Sequence, residues 1–133
     1  MSRHYLKITV FWILVTVVVV GCKPDLIPSN PKPDLGAAGF CYKDNQGRLL
    51  ISVKNQGDTD ASASTTTVDF FNFGSFDLPT PPIPAGGSVT LPALIIPTGC
   101  YNPDCNFKII VDSKSQINES NESNNQVSSN CIG

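Results

Sequence analysis

From Asp34 onward no stretch keeps a 3.6-residue apolar rhythm long enough to build an amphipathic helix, and this limits the chain to short strands. The segments able to bury a face are β-branched or aromatic and alternate in polarity, as half-buried strands do. Leu49, Ile51 and Val53 share one face of residues 49–54. Thr65 to Phe73 sets Val68 and Phe70 on one face, with Phe71 and Phe73 on the other. Val89 pairs with Leu91, and Phe107, Ile109 and Val111 alternate with Lys108, Ile110 and Asp112. Residues 126–132 make a weaker last strand, and Asp34-Leu35 opens the first. The separators are turn formers: Asn45-Gln46-Gly47, Asn55-Gln56-Gly57, and a breaker-rich run from Pro79 to Gly87. In the two Asn-Gln-Gly turns glycine is expected to supply a positive φ. About seven short strands with turns roughly every ten residues describe an all-β, immunoglobulin-like Greek-key sandwich. Its expected core is Leu49, Ile51, Val53, Val68, Phe70, Val89, Leu91, Phe107, Ile109 and Val111. Phe71, Phe73 and Phe76 are expected to pack at the core or an edge, because phenylalanine is commonly buried.

The N-terminus is of another kind. Arg3, His4 and Lys7 precede thirteen almost wholly apolar residues, Ile8 to Val20, and then Gly21-Cys22. A membrane-spanning helix needs about 20 apolar residues, whereas the apolar region of a secretory signal runs about 7–15. The junction Val19-Val20-Gly21-Cys22 resembles the lipobox of bacterial lipoproteins. That resemblance implies removal of a signal helix, residues 1–21, and acylation of Cys22, which becomes the new N-terminus. Several acyl chains on one cysteine give stable anchoring, at about 0.8 kcal/mol per buried CH₂. The implied partner is therefore a membrane, and the implied address the bacterial cell envelope. Lys23, where a retention signal would place Asp, permits delivery to an outer membrane if the organism has one.

Residues 22–33 hold four of the eleven prolines. Proline lacks a donor and locks φ, so this stretch forms a semi-extended tether rather than a helix or central strand. Residues 34–133 then make one domain of about 100 residues, large enough to fold alone.

With Cys22 assigned to lipid, Cys41, Cys100, Cys105 and Cys131 remain. An even number in an exported chain favours two disulfides, and four cysteines allow three pairings. Cys100 and Cys105 flank the turn sequence Tyr-Asn-Pro-Asp. Cys41 and Cys131 sit near the first and last strands, which can lie side by side in such a sandwich. The expected pairs are Cys41–Cys131 and Cys100–Cys105. A zinc site is the competing use, but zinc sites usually present close Cys pairs, and Cys41 and Cys131 form no second one.

The segment 111–125, VDSKSQINESNESNN, is acidic and amide-rich. Together with Pro33-Asp34-Leu35, Ser52 to Asp58 followed by Ala61, and Ile83 to Ser88, it resembles the CARDB module, the cell-adhesion-related domain found in bacteria. The resemblance spans residues 33–133. It implies a seven-stranded sandwich, common in surface and exported proteins, and no catalytic activity. Family members are often strung in tandem, while this chain carries one copy.

Asp112, Glu119, Glu122 and Asn124, with Asn118 and Asn125, offer enough oxygens to suggest calcium, which takes six to eight. The spacing is not that of an EF-hand loop. The alternative is a connection in which Asn and Ser cap the backbone, with Glu119 and Glu122 pairing with Lys114 or Lys54. The calcium set is the weaker candidate, and no other metal or cofactor is expected. The two Asn-Glu-Ser triplets also match a glycosylation sequon, accidental in a bacterial lipoprotein.

Without residues 1–21 the chain carries seven Lys+Arg against eleven Asp+Glu, a net charge of −4. That balance argues against nucleic acid as a partner. The only His, His4, leaves with the signal, so no catalytic base stands out and no enzyme is expected. The expected function is a non-catalytic, lipid-anchored binding or adhesion module engaging an envelope protein or glycan. The alternative is a purely structural lipoprotein or spacer with no ligand of its own.

Overall fold

The computed structural model describes residues 30–133. Residues 1–21, Cys22 and most of the tether lie outside this range. Nine strands follow in order: β1 (Leu35–Ala37), β2 (Tyr42–Lys43), β3 (Leu49–Leu50), β4 (Ser52–Asn55), β5 (Ser64–Phe70), β6 (Gly74–Thr80), β7 (Ser88–Thr90), β8 (Cys105–Ile110) and β9 (Gln126–Cys131). A short 3-10 turn, Glu122–Asn124, precedes β9. One sheet has the order β1-β4-β7 and the other β6-β5-β8-β9, with β2-β3 as a small separate hairpin. All pairings are antiparallel. β3 and β4 are one strand line interrupted at Ile51, so the expected seven-stranded sandwich is present, with β2 added.

The alternation read from the sequence places the core. Leu49, Ile51, Val53, Val68, Phe70, Leu91, Phe107, Ile109 and Val111 are all buried, and Val89 packs against them half-buried. Leu35, Ala61, Leu78, Ile83, Ile96 and Ile117 join the core, with Cys100, Cys105 and Cys131.

Two expectations change. The run Thr65–Phe73 is not one strand: it stops at Phe70, turns through residues 71–73 and returns as β6. Asn72 (φ 68°) and Gly74 (φ 100°) make that reversal, since both adopt the left-handed region readily. β6 carries Pro79 opposite Thr65, tolerable because β6 is an edge strand. Gly47 takes the expected positive φ, but Gly57 does not. Gly57 is required by close approach instead: a Cβ there would lie 2.3 Å from the Lys32 carbonyl oxygen.

The cysteines pair as Cys41–Cys131 and Cys100–Cys105, with Cα separations of 5.2 and 4.7 Å. The register sets Cys105 directly opposite Cys131 on β8 and β9, yet each bonds outside that pair. The four sulfurs are thereby engaged, so the zinc alternative does not apply to them.

Candidate functional site

The chain enters the sandwich at one pole. Asn55, at the end of β4, is fully buried, and its amide accepts from Asp34 N (3.1 Å) and Gly57 N (3.0 Å). The same amide donates to the carbonyls of Thr59 (2.8 Å) and Ile83 (3.1 Å). Lys32 O accepts from Asp58 N, Asp34 O from Gln56 N, and Pro33 O from Ser120 N. Lys32 Nζ donates to Asn118 Oδ1 at 2.8 Å. The entry segment is thus clasped between the β4 turn and the Asn/Glu-rich connection.

That connection is a hydrogen-bonded knot. Asp112, buried at φ 44°, accepts from Gln116 N (2.9 Å) and Ile117 N (2.8 Å), which folds Ile117 into the core. Glu119, 3% exposed, accepts from Leu35 N and from Asn125 Nδ2 (3.0 Å). Glu122 accepts from Glu119 N (3.0 Å) and Asn125 Nδ2 (3.2 Å). Asn124 Nδ2 donates to Asp34 Oδ1, and Asn121 caps the 3-10 turn through Ser123 N. The expected partnering of Lys114 with the glutamates does not occur: Lys114 pairs with Asp77 at 2.7 Å, and this ammonium, with the Thr67 hydroxyl, holds the Asp77 carboxyl below its usual range.

These residues do not fit a calcium ion in this arrangement. Asp112, Glu119 and Glu122 turn their oxygens onto N–H donors. Asn125 presents its amide nitrogen, not its oxygen, to the two glutamates, the reverse of what a cation selects. The amide oxygens of Asn124 and Asn125 are buried without a partner among the described residues. No group of three or more His, Cys, Asp or Glu side chains there is gathered as a metal site.

Burial pushes the Glu119 carboxyl up, against the Leu35 and Asn125 donors that lower it, and the negative charges of Glu122 and Asp112 push it further. With a folded pKa above the unfolded one, the native state holds the proton more tightly. The linked stability is present below the ordinary glutamate pKa and is lost as pH rises through the raised folded value. Glu119→Gln keeps a carbonyl to accept from Leu35 but cannot ionise. In denaturant titrations at pH 4 and pH 7 the variant should therefore gain relative to the parent at pH 7. An equal pH dependence of the two proteins would refute the assignment.

The opposite pole is built differently. β5, seven residues long, sets the poles about 20 Å apart at about 3.3 Å per residue. Here lie the Phe71–Phe73 turn, the Cys100–Cys105 loop, and Phe40, Tyr42 and Ile132 beside Cys41–Cys131. Phe71 and Phe73 are 44% and 40% exposed, and Phe76 on β6 is 38% exposed, which corrects their expected burial. Phe40 meets Tyr42 edge-on at 6.0 Å, and the Lys43 ammonium lies 5.2 Å from the Tyr101 ring centre. A cleft of about 310 Å³ opens between the aromatic turn and the disulfide loop, lined by Phe71, Asn72, Phe73, Asn102, Asp104 and Asn106. Sequence reading assigned its phenylalanines to packing and passed over its amides, which come from two separate segments.

The CARDB family model matches residues 23–129. The chain belongs to the CARDB family. Among solved structures it is similar to the CARDB domain of a Pyrococcus furiosus protein, crystallised in complex with di-metal ions. The identity is 16% and the TM-score 0.54, over 76% of this chain and 88% of that one. At that identity the likeness is one of fold, and the CARDB sandwich of both chains is what it shows. A comparison with curated proteins finds no match. The clasped Asn55 turn and the 112–125 knot lie within the CARDB match, whereas Cys131 lies beyond it.

Proposed function

We propose that this CARDB chain is a non-catalytic binding module of the bacterial cell envelope, held by acyl chains on Cys22 and engaging an envelope protein or glycan. The observation that carries the reading is the polarity of the sandwich. The chain enters at the pole made by Asn55 and the 112–125 knot, while exposed aromatics gather at the other. A tether of residues 22–33 would then hold the aromatic pole away from the bilayer. These exposed aromatics offer apolar surface for a partner to cover, which favours a binder over the purely structural alternative. Outer-membrane delivery, where such a membrane exists, follows from Lys23 on the same reading.

Intact-mass spectrometry of the membrane-extracted protein tests the anchor. The expected species begins at Cys22 with added acyl mass, and its four thiols become alkylatable only after reduction. An unlipidated species that retains Trp12 would sink the anchor.

Calcium is not part of this proposal, although the Pyrococcus furiosus domain is described with metal ions. Melting curves in excess calcium and in chelator are expected to coincide. A native-only ligand at 100-fold its Kd would add about 2.7 kcal/mol, so a rise of several degrees in calcium would restore Asp112, Glu119, Glu122 and Asn124 as ligands.

A further inference from the structure

We propose that the cleft between the Phe71–Phe73 turn and the Cys100–Cys105 loop binds a neutral sugar ring of an envelope glycan. This inference rests on the binding-module reading and narrows it to one site and one ligand class. The cleft combines two chemistries that sugars require together. Phe71 and Phe73 supply half-exposed aromatic surface, on which the C–H face of a pyranose can lie. Asn72, Asn102 and Asn106 supply amides that both donate and accept, and Asp104 adds acceptors. Hydroxyl groups are likewise donors and acceptors, so each finds a matching partner.

Charge and size narrow the class. Among the described residues, Asp104 is the only charged one lining the cleft, and no Lys or Arg lines it. A phosphate or uronic acid would meet repulsion there without compensation. A volume of about 310 Å³ lies at the lower bound for ligand sites, about 300–1,000 Å³, so a terminal or branching ring fits better than a buried chain.

The walls are held in place before a ligand arrives. Cys100–Cys105 closes the loop covalently, and Gly99 lets the Phe73 ring lie against it. A Cβ on Gly99 would sit 2.9 Å from Phe73 Cε1. Ordering costs on binding are correspondingly small. The position suits the role as well, since the cleft lies at the pole opposite the chain entry.

The test uses the full mature chain in a non-glycosidic detergent. Methyl glycosides of glucose, galactose, mannose and N-acetylglucosamine, with glucuronic acid as the charged comparison, are screened by saturation-transfer NMR and calorimetry. At least one neutral glycoside should bind, and glucuronic acid should not. Phe73→Ala should weaken binding about tenfold or more, with a modest fall in melting temperature from the ring contact it loses with Gly99, and Asn106→Ala several-fold with an unchanged melting temperature, because Asn106 is exposed. Tyr42→Ala, an exposed aromatic outside the cleft, should bind as the parent does. Absence of any binding, or equal binding by Phe73→Ala, overturns the proposal. A photo-crosslinker at position 73 separates the two levels of inference. A protein crosslink in intact cells without sugar binding removes the glycan assignment and leaves the binding module. Neither signal removes both.

Discussion

A Cys41→Ala/Cys131→Ala variant should lose about 4–5 kcal/mol of stability, because the disulfide it removes closes a loop across most of the domain. The two cysteines are 90 residues apart in sequence. In the chain-entropy model, cross-linking so long a loop deprives the unfolded ensemble of far more freedom than closing a short one. Cys100 and Cys105 are 5 apart, and their loss should cost only about 2 kcal/mol. The long bridge also joins parts that are otherwise weakly tied. It fastens the segment after β1, a strand of 3 residues, to β9 of the other sheet. For a domain of about 100 residues, 1 kcal/mol shifts the midpoint by about 4–8 °C, so the long-loop variant should melt about 20–30 °C lower. Circular dichroism melts of both double variants under non-reducing conditions make the comparison. If the long-loop variant loses no more than the short-loop one, loop closure is not what the Cys41–Cys131 bridge contributes.

The cysteine pairing was legible in the sequence for a physical reason. Sequence-distant edge strands of a sandwich lie side by side, and a turn sequence between two cysteines brings them together. The core strands were legible because alternation of Phe107, Ile109 and Val111 needs no tertiary information. Where reading failed, the decisive fact was conformational or non-local. Phe70, Phe71 and Phe73 all have strand propensity, and the backbone at Asn72 and Gly74 makes the run a turn. Leu35, Ile83 and Ile117 are isolated among breakers, so no period announces their burial. Ile117 is carried inward by the hydrogen bonds that Asp112, five residues earlier, accepts from Gln116 and Ile117 N–H.

The candidate sites divide in the same way. Oxygen-bearing residues in 112–125 suggested ligands because composition shows acceptors but not their donors. One of the two donors that engage Glu119 is the main-chain N–H of Leu35, 84 residues away. The aromatic pole was not legible: Phe71 and Phe73 read as packing residues, and Asn102, Asp104 and Asn106 gained meaning only once the disulfide loop lay beside the turn.

Asn55→Ala should cost about 2–4 kcal/mol although it removes no large apolar group. Its side chain uses both lone pairs and both amide hydrogens, on Asp34 N, Gly57 N, Thr59 O and Ile83 O. Truncation leaves several of those groups in a poorly hydrated space, and each unsatisfied buried group costs about 1–3 kcal/mol. The total stays below the full sum because Ile83 O retains Ala61 N as a donor, and the groups nearer the surface can recruit water. Asn55→Asp should be no milder: it keeps the acceptor for Asp34 and Gly57 but loses both donations and buries a charge. The damage should also be directional. Asn55 is where β4 grips the entering chain, so the loss should loosen residues 32–35 before it loosens β8 and β9. Hydrogen exchange tests this directly. Faster exchange at Asp34 and Leu35 with protected β8 amides would identify Asn55 as the joint between tether and sandwich, and uniform acceleration would mean that it acts only on global stability.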